Sequence, residues 1–583
     1  MKEIYSRAHL VVAWLGPEEE DTSWLFAILG NIGKASSDSL ESGDLNSIED
    51  WDKKIEAILA LKTAKSNYIE RLNNDVAIHS RLNGVLWRMS SLSYWMRLWI
   101  IQEFSVARKV ELLWGSYCLP TAHVSKLLRS LSRRWIFRGK AVGGVTTEES
   151  DSESSQSYSV KFIAIPGMKV SSFMEGVFTR RERYRRNLIK PDPYYFSGLG
   201  RHQRARSQDY DSLFRVLATT LALEGDNNYP LSTDPRDRVF SLLQLANDSG
   251  EFDLFPNYQM TSREVYTEAA RIIFQQGHID LLAYCQFPKQ TVGLPSWAPD
   301  WSMEIRCPNC KFPWVNTMSA AGDNGDEQRV LIEGNKLFIR GFCVDVIQDI
   351  GDAWHPESSI TKDHSMALRY LHQVKSFCVK SPRGPRGVEE CKSRAARIAS
   401  HAQLEKDHPS GIGANDVFYV YEYVGNFDRM VEELEEARDL SSSSSGLRFW
   451  SQTFWIQNLH ARRPFITNNG YVGVGPASLG PGDLLYLFPG SKTPSIIRAL
   501  NGETFSLIGE ASVDGIMHGE AVKTKPQWKE VTMAALPAGL CSPLQATRAT
   551  TYKTTVPIDT SWVHPRTCNF VQYEGFYQSA NLD

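Results

Sequence analysis

The sequence predicts a multidomain chain that combines α/β and α+β parts. Helical periodicity separates two short apolar runs near the N-terminus, helical patterns dominate the middle, and short alternating runs with Asn-Gly turns follow. The chain has 583 residues, several times the roughly 150 residues of a typical domain. We therefore expect a parallel α/β domain, a helical middle region and a small C-terminal antiparallel β-rich unit.

The composition is that of a folded protein from a reducing compartment. Hydrophobic residues make up 42% of the chain and the net charge is −3, which argues against wholesale disorder and against a general nucleic-acid coat. Nine cysteines are too sparse for a disulfide scaffold. The sequence shows neither a signal-peptide core nor an apolar run long enough to span a membrane. We expect a cytoplasmic protein.

Residues 1–120 predict a helix, a strand, further helices and a second strand. The strand VVAWLG covers residues 11–16, and KVELLWG at Lys109–Gly115 predicts the second strand. Helical periodicity lies between them, over Trp51–Leu72 and over Ser91–Arg108. This order is typical of a parallel α/β unit.

Residues 121–207 predict a linker or insertion. Residues 142–159 are rich in Gly, Thr, Glu, Asp and Ser, a composition typical of disorder. Arg180–Arg206 is expected to be irregular and holds nine Lys or Arg with interleaved aromatic residues, as RNA-binding segments do. Because the whole chain is nearly neutral, a solvated loop is the favoured interpretation, and we expect no nucleic-acid partner.

Residues 208–305 predict a helical region that ends in LPSWAPDW, residues 294–301. Before that motif, DPRDRVF predicts a helix with Asp234 as its N-cap and Pro235 at its first position. In LPSWAPDW, packing is the favoured interpretation, with Asp300 accepting hydrogen bonds from backbone amides. Stacking of a flat ligand on the two tryptophans is the alternative.

Residues 325–350 and 450–524 together predict the β-rich unit. Two hairpins in it turn at Asn-Gly pairs, Asn469-Gly470 and Asn501-Gly502. The intervening residues 351–449 are polar and predict a helical insertion, and residues 525–583 predict a tail without regular pattern. No catalytic or ligand-binding role can be inferred for this unit from its sequence, and we expect a scaffold or an interaction module.

Most residues with catalytic or metal-binding chemistry have an ordinary structural interpretation. Cys307 and Cys310 have the spacing of half a zinc site, but no second half lies nearby, so two loop thiols are favoured. His518 near a strand end is more typical of a structural histidine than of a catalytic one. Asp483 follows a glycine and predicts a turn-ordering carboxylate. We expect no metal.

The most informative segment is YWMRLWIIQEFSVARKVELLWG. Helical spacing gives it one apolar face, formed by Trp95, Leu98, Trp99, Gln102 and Val106. Glu103 lies on the same face, where a carboxylate needs a partner or a pocket. It is therefore a candidate general base or ribose-binding acid. The favoured alternative is a structural bridge to Arg97, Arg108 or a distant arginine.

Taken together, these motifs resemble fungal heterokaryon incompatibility (HET) domain proteins. The matching stretches follow the family's order: MKEIYSRAHLVVAWLG, YWMRLWIIQEFSVARKVELLWG, DPRDRVFSLLQLA, NYQMTSREVYTEAARII with LPSWAPDWS, and RRPFITNNGYVGVGP through LIGEASVDGIMHGEA. The resemblance implies a non-self recognition protein linked to programmed cell death. Its partners would be other proteins of the incompatibility system, and a homo-oligomer is left open.

The resemblance also implies that the HET domain is incomplete. Family members begin with a strand similar to ALSYVWG and a Cys-Ile-Asn-Gln motif before the Met-x-x-Ile-Tyr segment, which Met1 itself opens here. Residues 1–120 would then be the C-terminal part of an N-terminally truncated HET domain. A chain of this kind would be inert or regulatory.

The HET domain is similar to Toll/interleukin-receptor (TIR) domains, which have a flavodoxin-like parallel sheet. Some TIR domains cleave NAD with the glutamate of a Trp-x-x-x-Glu pattern, and Trp99–Glu103 has that spacing. This resemblance implies Glu103 as the catalytic residue, Trp99 and Gln102 as ligand-binding residues, and NAD as a substrate rather than a cofactor. The alternative function is thus a TIR-like NAD glycohydrolase, although we expect no enzyme activity from the truncated form.

Overall fold

The computed structural model describes the greater part of the chain up to residue 534. The described residues are 2–37, 76–125, 172–187, 211–223, 230–306, 308, 318–322, 330–353, 364–384, 387–399, 427–428, 431–432, 435, 461–501, 503–523 and 527–534. All of them belong to one compact unit, residues 1–536. The predictions for Trp51–Leu72 and for the acidic residues 142–159 lie outside the described residues.

A small sheet begins the fold. Strand β1 (Val11–Gly16) pairs in parallel with β2 (Val110–Trp114), and β3 (Tyr117–Pro120) adds antiparallel to β2. Both strands lie where the apolar runs predicted them. Alternation buries one face of the sheet, with Ala13, Leu15, Val110, Leu112 and Trp114 in the core.

Among the described residues, five helices accompany this sheet, and one of the predicted helices is divided. They are α1 (Lys2–Arg7), α2 (Thr22–Ser37), α3 (Val76–Ser90), α4 (Ser93–Met96) and α5 (Trp99–Val106). The predicted single helix Ser91–Arg108 is wrong, because Arg97 is extended and the Leu98 N–H donates to the carbonyl of Leu231 at 3.0 Å. Pairing with a distant segment thus interrupts the helix.

Helix α6 (Ser172–Asn187) lies within residues 121–207, where the sequence predicted a linker or insertion. The described part of residues 208–305 is largely helical, as predicted, with α7 (Leu213–Leu221), α8 (Asp237–Leu243), α9 (Ser262–Gln275) and a 3-10 turn at Ile279–Tyr284. The predicted start of α8 is wrong. The Asp234 carboxylate accepts from the backbone N–H of Arg236 at 2.9 Å and from its guanidinium. The chain therefore makes a further turn before the helix begins at Asp237.

The LPSWAPDW turn is a packed structural element, which confirms the favoured interpretation. Trp297 and Trp301 are fully buried. The Asp300 carboxylate accepts from the backbone N–H groups of Gln290 and Thr291 at 2.8 and 2.7 Å. Next to the turn, β4 (Ala222–Leu223) pairs in parallel with β5 (Ile305–Arg306).

The β-rich unit is a largely antiparallel sheet. Its strands are β6 (Val330–Glu333), β7 (Lys336–Ile350), β8 (Arg462–Thr467), β9 (Val472–Pro476), β10 (Leu484–Leu487), β11 (Ser495–Asn501), β12 (Thr504–Glu510), β13 (Ser512–Val513) and β14 (Lys529–Met533). The pairings β7–β10–β11–β12–β14–β7 close a ring, with only β12–β14 parallel among them. The prediction that residues 525–583 form a tail without regular structure is therefore wrong for β14, which belongs to this ring.

The two hairpins form where the Asn-Gly pairs predict them. Strands β8 and β9 pair in antiparallel fashion around Gly470, whose φ is 82°. Strands β11 and β12 form the second hairpin. Interior apolar residues fill the sheet, including Ile347, Phe465, Leu485, Ile496 and Ile508.

Two helices cover the outer side of β8 and β9. They are α10 (His364–Lys380) and α11 (Val388–Ala399), and they share an apolar cluster with Ile466, Val472 and Val474. This region carries the predicted polar helical insertion. Within the described part of the chain, every helix is too short or too polar to cross a membrane.

The LPSWAPDW turn joins the helical region to the sheet. The Ser296 hydroxyl donates to the carbonyl of Ala534 and accepts from the Leu507 N–H at 3.1 Å. The Trp297 indole N–H donates to the carbonyl of Asn335 at 3.0 Å. Apolar residues of both parts belong to one core cluster.

Candidate functional site

The candidate site lies on α5, where Trp99 and Glu103 are one helical turn apart. Both side chains are partly buried. Helix α1 packs against α5 and brings the Tyr5 hydroxyl to the Glu103 carboxylate, to which it donates a hydrogen bond. Helix α4 contributes Tyr94, whose hydroxyl interacts electrostatically with Glu103. The break after α4 contributes Arg97, whose positive charge also acts on Glu103. We call these five residues the α5 site.

Burial dominates the electrostatics of the α5 site. It raises the pKa of Glu103, while the hydrogen bond from Tyr5 and the charge of Arg97 partly offset that rise. Burial and the Glu103 charge raise the pKa of Tyr5 to about 12. The same two causes raise the pKa of Tyr94. The site thus contains a carboxyl group that holds its proton more tightly than usual, which is a property of general acids and bases.

Trp99 is fixed by residues that lie far along the chain. Its indole N–H donates to Asp237 Oδ2 at 2.9 Å, and the Tyr258 hydroxyl donates to Asp237 Oδ1 at 2.7 Å. The Arg236 guanidinium lies 5.1 Å from the centre of the Tyr258 ring. An open depression beside Asp237 is lined by residues 233–237, Thr261 and Ser262.

The structure does not bring Gln102 to the other two predicted site residues. Its side chain is 1% exposed. Its Oε1 has no hydrogen-bond partner in the described part of the chain. Gln102 therefore lies in the core behind Trp99 and Glu103.

Helix α6 supports α5 from behind, and this corrects the prediction for the basic stretch. Residues 180–187 are helical rather than irregular, and neither Arg180 nor Arg181 is a solvated loop residue. Arg180, 5% exposed, pairs with Asp211 at 3.1 Å. Arg181 donates to the carbonyls of Phe104, Ala107 and Arg108 at the C-terminal end of α5, the last two at 2.7 and 3.3 Å.

The spacing of apolar residues in the sequence could have predicted helix α6. No sequence pattern could have predicted that Tyr5 and Tyr94 belong to the α5 site. Phe173, Met174, Val177 and Phe178 recur at helical spacing and are buried. Nothing in the sequence near Tyr5 or Tyr94 relates either residue to Glu103, because the contacts arise from tertiary packing.

The remaining candidate residues have structural contacts. Asp483 accepts from the Gly480 N–H at 2.7 Å and from two nitrogens of Arg498 at 2.7 and 2.8 Å, which confirms its turn-ordering role. The His518 backbone N–H donates to the Glu520 carboxylate at 2.8 Å. Among the described residues, no three His, Cys, Asp or Glu are grouped as metal ligands. Cys307 and Cys310 lie outside those residues.

Comparison with known proteins finds similarity at both ends of the described chain. Residues 1–103 match the family model "Heterokaryon incompatibility protein (HET)", and residues 425–530 match the "Het-6 beta-barrel domain". A relative in Neurospora crassa, "Heterokaryon incompatibility protein 6, OR allele", is 25% identical over 580 residues, covering 90% of this chain and 78% of the relative. No solved structure matches.

Proposed function

Because this chain is an HET domain-containing heterokaryon incompatibility protein, we propose that it acts in fungal non-self recognition. The observation that carries the proposal is one chain with a HET segment followed by a Het-6 β-barrel segment, similar to the Neurospora crassa OR allele over 90% of its length. The name of that relative specifies an allele. Allelic difference between fusing cells is what a non-self recognition system must detect.

We propose further that recognition leads to programmed cell death through other proteins of the incompatibility system. A TIR-like arrangement of residues 1–120 belongs to this proposal. It is supported by the parallel pair β1–β2 and by the helices α2, α3 and α5 that connect them. A cytoplasmic location and an inert or regulatory state also stay predictions.

The alternative, NAD cleavage, would depend on Glu103. Its raised pKa and its position one turn from Trp99 favour this activity. The Tyr5 hydroxyl interacts with the carboxylate, and Gln102 is buried. NAD would therefore have to share the Glu103 carboxylate with Tyr5, and Gln102 would have no part in binding.

A heterokaryon assay in the encoding fungus tests the proposed function. Two otherwise identical strains receive different alleles of this chain, and fused cells are scored for stable growth and for uptake of a vital dye. We expect unstable heterokaryons and dying fusion cells. A matched pair of strains that share one allele is the control and should fuse stably.

Two further strains separate recognition from NAD cleavage. Deletion of the gene in one partner should restore stable fusion. Glu103→Gln should leave incompatibility unchanged if recognition alone operates, and should abolish it together with NAD loss if cleavage operates. Stable fusion between strains that differ only in this gene would contradict the proposed function.

A further inference from the structure

Strand β1 is an edge strand with an apolar outer face. Within the described part of the chain it pairs only with β2. On the face opposite the core, Val12 is 49% exposed and Trp14 is 62% exposed. Parallel sheets are normally covered on both faces, so this exposure is unusual. The strand VVAWLG also contains neither a charged residue nor a proline, the residue types that protect edge strands from pairing.

The backbone of β1 presents paired donors and acceptors along this edge. The Val11 N–H donates to the carbonyl of Lys109, on the β2 side, at 3.0 Å. Backbone groups alternate along a strand, so those of Val12 and Trp14 point away from β2. Two residues with outward N–H and C=O groups therefore flank Ala13 symmetrically.

We propose that β1 pairs with β1 of a second copy of this chain, antiparallel about a twofold axis through Ala13. Val12 of each copy then lies opposite Trp14 of the other, and the two residues exchange both backbone hydrogen bonds. The axis is perpendicular to the sheet, so both outer faces lie on the same side. Each exposed tryptophan gains a β-branched neighbour across the strands, a favourable cross-strand pair.

The charges beside β1 favour the same arrangement. Arg7 and His9 precede the strand, and Glu18 and Glu19 follow it. Arg7 is 78% exposed and lies 3.7 Å from Glu3, and Glu19 is 42% exposed and lies 3.8 Å from Arg88, so both charges stay accessible although neighbours in the same chain partly offset them. An antiparallel twofold pair brings the basic end of each strand to the acidic end of the other. A parallel pair would place like charges together, which is unfavourable.

The mass of the full chain in solution tests the proposal. Light scattering after size exclusion, over about 1 to 100 μM, where modest interfaces dissociate, should show a transition towards twice the 65.9 kDa chain mass. Trp14→Lys and Val12→Glu should each weaken dimerisation by about tenfold or more, the factor given by 1.4 kcal/mol. Val292→Lys, at a 92% exposed loop position, is the matched control and should have no effect.

A mixture of variants tests the register. The Val12→Glu and Trp14→Lys chains should be largely monomeric alone, but should form a heterodimer when mixed, because the new charges lie opposite each other. A wild-type monomer throughout the range would overturn the proposal. So would a dimer that both edge variants leave intact, or a mixture that associates no better than its parts. Melting curves establish that each variant is folded.

Discussion

Arg181→Ala is the substitution that most directly tests how α6 holds the α5 site. The guanidinium donates to the carbonyls of Phe104, Ala107 and Arg108 and lies 5.7 Å from the centre of the Phe104 ring. The last carbonyls of a helix have no partners within it and carry partial negative charge. The substitution removes a cation from all of them at once.

The expected loss is about 2–4 kcal/mol of unfolding free energy. Hydrogen bonds to charged groups contribute about 1.5–3 kcal/mol each, but water will reach part of the exposed carbonyls and recover some of that energy. Burial lowers the pKa of Arg181 to about 10, so its desolvation also offsets part of the gain. Arg185→Ala is the matched control, one turn away on α6, and it removes a like charge near Arg181.

Hydrogen exchange on peptides that cover α5 and β2 gives the local readout, and chemical denaturation gives the global one. Arg181→Ala should accelerate exchange at the end of α5, whereas Arg185→Ala should leave it unchanged or slightly slower. Equal effects from the two substitutions would refute the view that Arg181 caps α5.

Three other predictions follow from buried or constrained residues. Burial raises the pKa of Glu103, so the unfolded chain ionises first as pH rises; Glu103→Gln should therefore gain melting temperature relative to wild type as the pH rises above about 4, and a pH-independent difference would contradict this. Arg462 lies 2.6 Å from Glu510, with side chains 8% and 4% exposed, so Arg462→Met should cost about 3–5 kcal/mol in a denaturant titration; a loss below about 1 kcal/mol, as for an exposed pair, would exclude a tight buried pair. Gly470 has a φ of 82° and a Cβ there would collide with the ring of Pro382, so Gly470→Ala should cost about 2 kcal/mol; Gly480→Ala, where a Cβ would make an ordinary contact with Arg498 at 3.7 Å, should cost little, and equal melting shifts from the two substitutions would refute the predicted strain at Gly470.

Local patterns predicted those elements whose contacts are close in sequence. The Asn-Gly turn of β8–β9 and the apolar runs of β1 and β2 are of this kind. The break at Arg97 was not predictable, because it depends on pairing with Leu231 from another part of the chain. The many arginines of α6 led to the prediction of a solvated loop. In the tertiary structure the segment is a helix, and Arg180 pairs with the buried Asp211.

The candidate site was predicted to the same limited extent. Helical spacing placed Trp99 and Glu103 together, and both remain on one side of α5. It also placed Gln102 with them, but Gln102 lies on the core side of α5, where its side chain is 1% exposed. The contacts that set the pKa of Glu103 come from Tyr5 and Arg97, and no periodicity in the sequence encodes them.

The Ser296 hydroxyl limits how parts of this chain can be exchanged with those of a relative. It connects strand β12, through Leu507, to the end of β14, through Ala534, while sitting in a turn of the helical region. A crossover between that region and the sheet would combine a turn from one parent with strands from another. Such a chimera keeps both hydrogen bonds only if the parent that supplies the turn has a hydroxyl side chain at this position. Exchange of loops within one part should therefore disturb the core less than exchange of whole parts.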